Sequence, residues 1–95
     1  MMYFKPDYLE WERTYVVRMS DEVYRHFSYC ESSFNVLYCR LLGVSYADGW
    51  RYIRDNYNGK IHGREGRFCH VTFDNERDCR DFCNLLNERW KALIK

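Results

Sequence analysis

The chain has 95 residues, enough for one domain with a modest core. Fifteen Lys+Arg stand against fourteen Asp+Glu, a net charge of +1, which excludes a protein that coats nucleic acid by charge alone and an acidic mimic of DNA. Aromatic residues make up 19% of the chain, and the large area each one buries compensates for its shortness.

Residues 1–12 mix aromatics with charges around the single proline, Pro6. This segment is expected to run extended over the surface, pinned by Tyr3, Phe4 or Tyr8. Lys5, Asp7, Glu10, Glu12 and Arg13 leave no apolar block of the kind a secretory leader needs. The longest nearly apolar run, Val36 to Val44, is interrupted by Arg40 and is too short to cross a bilayer. Five cysteines, an odd number, suit a reducing compartment better than a disulfide scaffold. The expectation is a cytoplasmic protein without a membrane partner.

Arg13 to Met19 alternates as a strand does, with Tyr15, Val17 and Met19 on one face and Thr14, Val16 and Arg18 on the other. Ser20, Asp21 and Glu22 then open a helix with a hydroxyl cap and two acids in its first turn. Val23, Phe27, Cys30, Phe34, Leu37 and Leu41 keep helical phase up to Gly43, a C′ stop. Ser32 and Ser33 leave open whether this is one helix or two. Arg25, Tyr29, Val36 and Arg40 share the opposite face, which is either covered by the N-terminal segment or forms a ridge for a partner.

Ser45 caps the next helix, with Asp48 three residues on. It carries Tyr46, Trp50, Ile53 and Tyr57 on one side, points Tyr52 to the other, and stops at Asn58-Gly59. Lys60 to His62 forms a short strand, which Gly63 to Gly66 turns back into a strand over Arg67–Phe73. After Asp74 and Asn75 comes a long amphipathic helix whose stripe is Cys79, Phe82, Cys83, Leu86, Trp90 and Leu93. No repeat or linker divides the chain, so residues 1–95 are expected to form a single globular domain.

Chemistry-bearing patterns are sparse. There is no C-x-x-C, and Cys79 and Cys83 lie on an apolar stripe where thiols serve as small hydrophobes. Cys69 and His70 are strand neighbours that face opposite ways, so no metal site is expected. Phosphate-binding glycine loops, a nucleophile elbow and a zincin motif are absent, and no catalytic residues or cofactor are assigned.

Two stretches resemble nucleic-acid-binding families. The helix ending near Leu42, the Gly43-Val44-Ser45 turn and the helix through Trp50 and Ile53 resemble a helix-turn-helix. The resemblance implies a wing at Lys60–Phe73 and phosphate contacts from Arg51, Arg54, Lys60, Arg64 and Arg67. It departs from the pattern in phase, with Gly49 where an apolar residue is expected. Phe68-Cys69-His70-Val71-Thr72-Phe73 resembles the RNP1 strand of RNA-recognition motifs, and Thr14–Met19 the RNP2 strand. That implies base contacts at Phe68 and His70, although the spacing between the strands is too long.

The order of elements predicts an α+β fold with a short antiparallel sheet of two or three strands and about three helices packed mainly on one face. A winged helix-turn-helix is the alternative. For function, surplus aromatics with paired charges suit a non-catalytic protein-binding module, an adaptor or inhibitor that masks a partner surface, of the kind phages and other mobile elements encode. Its expected contacts are Tyr52, Arg51, Arg64, Glu65, Tyr29 and Arg40. Nucleic-acid binding through the basic hairpin is the alternative reading.

Overall fold

The computed structural model describes residues 3–27, 39–64 and 67–94, and for 24, 26, 27, 46, 47, 63, 64, 67–70 and 94 it describes the backbone alone. Its elements are β1 (Phe4–Leu9), β2 (Thr14–Met19), α1 (Asp21–Phe27), α2 (Tyr46–Tyr57), β3 (Lys60–Arg64), β4 (Arg67–Thr72) and α3 (Glu76–Ile94). Residues 39–42 are also helical. The fold is α+β, as the order of elements predicts.

The N-terminal segment is extended and pinned by Phe4, as expected, but it is a strand of a sheet as well, paired antiparallel to β2 from Phe4↔Met19 to Leu9↔Thr14. Phe4 is fully buried, while Tyr8 stays 46% exposed beside Tyr15. The second hairpin, β3–β4, is also antiparallel, and a shift between His62 and Gly63 leaves Cys69 unpaired as a bulge. Arg64 pairs with Arg67, so the strands run through Gly63 and Arg64, which were expected in the turn. Tyr15 and Phe73 join the two hairpins by reciprocal backbone hydrogen bonds of 2.8 Å. Among the described residues the result is two short antiparallel sheets of two strands each, joined by that one bridge.

Local chemistry explains the helix starts. The Ser20 hydroxyl accepts from Val23 N–H, and Asn75 Oδ1 accepts from Asp78 N–H at 2.9 Å, each satisfying an orphan donor of a first turn. The core gathers Phe4, Met19, Val23, Leu41, Leu42, Ile53, Val71, Phe73, Cys79, Phe82, Cys83, Leu86 and Trp90. The stripe of α3 is as predicted through Trp90, but Leu93 is 46% exposed, one turn beyond the last partner. Whether residues 21–42 form one helix or two falls on residues 28–38, outside the described residues, as do Cys30, Phe34 and Leu37.

Asn87 is the polar member of that core. Its Oδ1 accepts from the N–H groups of Tyr3 and Phe4 at 2.8 and 2.9 Å, and its Nδ2 donates to the Phe4 carbonyl at 2.9 Å. One amide thus supplies the hydrogen bonds that a further strand would give to the start of β1, and locks that strand under α3. Trp90, one turn on, packs edge-on against Phe4 with ring centroids 6.3 Å apart.

Cys39, Cys79 and Cys83 are free and buried. Burial pushes the Cys39 thiol up, and a hydrogen bond that the Cys83 thiol donates to Cys79, followed by burial, raises that of Cys83. Raised folded values favour the neutral thiol, so the folded state keeps its full advantage below the ordinary thiol range. It loses it as pH climbs from there, because the unfolded chain ionises first. Native labelling with a disulfide reagent is therefore expected to be slow at neutral pH and to rise only with unfolding; rapid labelling of Cys79 and Cys83 would overturn the core assignment.

Candidate functional site

The best-defined surface feature is built on α2 and the turn before it. Residues 39–42 end in a left-handed Gly43 (φ 70°). Val44 N–H donates to the Cys39 carbonyl at 3.1 Å and Gly43 N–H to that of Arg40 at 3.3 Å, the paired bonds of a Schellman stop. Ser45 then caps α2, its hydroxyl accepting from Asp48 N–H at 3.3 Å and donating to the Asp48 carboxylate at 2.9 Å. At the far end Asn58 takes the left-handed conformation (φ 56°) and terminates the helix.

Gly49 explains the phase anomaly in the sequence. A β-carbon there would lie 2.5 Å from Cys39 Sγ, so the two helical segments approach where neither has bulk. That close approach places Gly49 and Ile53 at the centre of the buried face and rotates α2 from the predicted setting. Two consequences follow. Tyr52, expected to point outward, is half-buried against the core, 6.1 Å from the ring of Tyr57, which in turn lies 5.4 Å from Phe82. Burial, and then Tyr52 itself, pushes the Tyr57 hydroxyl up. Trp50, expected on the buried side, sits at its margin with one part against the core and the rest toward solvent.

Two guanidiniums cover that outer part. Arg51 Cζ lies 5.4 Å and Arg54 Cζ 5.1 Å from the Trp50 ring centroid. Both arginines are exposed, and stacking holds them over the indole with hydrogen-bond donors available at their edges. Arg54 Nε donates to Asp55 at 2.9 Å, a contact that raises the arginine's pKa and lowers that of the carboxyl. The pair is open to water and leaves the face near neutrality, with Asp48 also exposed. Chemically this is a Trp/Arg surface whose guanidiniums suit carboxylates and planar groups.

The other predicted site residues fall in three groups. Arg40 is exposed and follows Cys39, so it belongs to the same helix–turn–helix unit. Lys60, a predicted phosphate contact, pairs with Asp74 at 3.0 Å. Tyr29 and Glu65 lie outside the described residues, as do the side chains of Arg64, Arg67, Phe68 and His70. Among the described residues, the order of the named elements, β-β-α-α-β-β-α, also places the RNP-like strands differently from an RNA-recognition motif, since β2 is the second strand of a hairpin. The arginine cover on Trp50 was legible as an i, i+4 pair with an arginine adjacent, but the half-buried setting of the indole at the margin of the core was not. Among the described residues no helix is long and apolar enough to cross a membrane. No family model, curated protein or solved structure matches this chain.

Proposed function

We propose that this chain is a non-catalytic protein-binding module, an adaptor or inhibitor that masks a partner surface with the exposed face of α2. Trp50 under Arg51 and Arg54 carries the reading. Trp and Arg are the residues that most often dominate interface energetics, and here the indole is already fixed on the core with two guanidiniums laid over it. A surface ordered before contact loses less entropy on binding than one that must be organised. The centre of the site is Trp50, in place of Tyr52, whose ring is engaged with Tyr57. Buried free thiols in a chain with five cysteines favour the cytosol as its location.

Nucleic-acid binding is the second reading, favoured by one observation: the Schellman turn and the Cys39–Gly49 approach form a tight helix–turn–helix followed by a hairpin. Against it, Arg54 and Lys60 are each partnered by an acid. A pull-down from native cell lysate, with and without nuclease, separates the two. The expected result is a nuclease-resistant partner, lost with Arg51→Glu/Arg54→Glu at unchanged melting temperature. Trp50→Ala is expected to weaken that partner by more than about 1 kcal/mol. Capture that nuclease abolishes, or capture undiminished in both variants, would overturn the protein-binding proposal.

A further inference from the structure

The other end of the molecule carries a second exposed aromatic feature. Leu9↔Thr14 is the last pair of the β1–β2 hairpin, so Glu10, Trp11, Glu12 and Arg13 form its tip. Trp11 is 80% exposed, the highest value among the exposed large hydrophobic side chains described, and Tyr8 at the neck of the tip is 46% exposed. Arg13 closes the loop in the left-handed region (φ 53°). The hairpin is held at its opposite end, where Asn87 bonds Tyr3 and Phe4 and Trp90 packs on them, and again at Tyr15, whose backbone bonds that of Phe73 one residue from the last pair. The tip beyond Leu9 and Thr14 is therefore presented from a fixed base, with the indole on it.

Charge says what the tip fits. Glu10 and Glu12 stand against Arg13, and neither carboxylate forms an ion pair among the described residues. The next cations along the hairpin, Lys5 and Arg18, are paired across the strands four residues from Leu9, about 13 Å away and beyond the physiological screening length. An indole between two carboxylates attracts a cation to its face and repels phosphate-bearing surfaces. We infer that the β1–β2 tip is a docking element for a basic peptide segment of a partner protein, with Trp11 stacking on a lysine or arginine side chain and Glu10 and Glu12 pairing with its charge. This goes beyond the α2 surface and does not depend on it.

The test uses the full chain and a dye-labelled hepta-lysine peptide, followed by fluorescence anisotropy. Saturable binding is expected that weakens with added salt, about fivefold or more in Trp11→Ala and comparably in Glu10→Gln/Glu12→Gln. Arg51→Glu/Arg54→Glu is expected to bind the peptide at least as well as the parent chain, which separates this site from α2. Trp11 is exposed, so its variant is expected to fold normally, with the melting temperature as the control. Undiminished binding in Trp11→Ala, equal binding of a hepta-glutamate peptide, or preferential binding to vesicles of anionic phospholipid would each overturn the assignment.

Discussion

Truncating Phe82 to alanine is expected to lower the unfolding free energy by about 3–5 kcal/mol, the usual cost of emptying a large aromatic site. Phe82 is fully buried, and its ring lies 5.4 Å from Tyr57 and 5.7 Å from Phe73. It therefore touches α2, the end of the second hairpin and α3 at once, and none of these neighbours can collapse into the space without moving its own element. Asp81, next to it and exposed, is the control: Asp81→Ala is expected to change stability by no more than about 0.5 kcal/mol. Urea denaturation of the two variants measures the difference. A Phe82→Ala chain as stable as the parent would mean that α3 does not organise the core.

Removing the Asn87 amide is expected to cost about 2–4 kcal/mol, because it orphans three backbone groups and a lost partner in the interior carries the full desolvation penalty. Those groups are Tyr3 N–H, Phe4 N–H and the Phe4 carbonyl. Asn87→Leu distinguishes hydrogen bonding from packing, since it keeps the volume and loses the bonds. It is expected to be destabilised nearly as much as Asn87→Ala. Hydrogen exchange locates the effect: the Phe4 amide should lose protection while the middle of α3 retains it, as expected when one strand detaches before global unfolding. Uniform loss across both elements, or a stable Asn87→Leu variant, would show that the amide does not hold β1.

The Asn87 variants bear on a strand that sequence reasoning placed only as an extended segment over the surface. Residues 4–9 read Phe-Lys-Pro-Asp-Tyr-Leu, with a proline and two charges, and nothing in that string favours a strand over an extended arm. Its strand character comes from outside itself, from pairing with β2 and from Asn87, 83 residues away from Phe4 in the chain. A signal for Asn87 was present, a carboxamide at helical spacing between Cys83 and Trp90 on an otherwise apolar stripe. What it would bond could not be read from spacing. The candidate sites divide in the same way: Trp50, Arg51 and Arg54 were legible as an i, i+1, i+4 set, and Trp11 as an aromatic between acids, but neither the half-buried setting of the first indole nor the exposure of the second was.

What the sequence by itself determined is local. Helical phase specified the α3 stripe from Cys79 to Trp90, hydroxyl and amide caps specified the starts at Ser20, Ser45 and Asn75, and backbone preference specified the stops at Gly43 and Asn58. Each of these depends on residues within a few positions of one another, where side-chain spacing and hydrogen-bond reach are properties of the chain alone. Tertiary structure decided which side of α2 is buried. Periodicity defines a face only to within the width of its apolar arc, and Tyr46, Trp50, Tyr52, Ile53 and Tyr57 spread over most of the helix. The choice within that arc fell to the contact between Cys39 and Gly49, where missing bulk on one helix lets the other approach, leaving Tyr52 and Trp50 both half-buried on the core, with Trp50 beneath its two arginines.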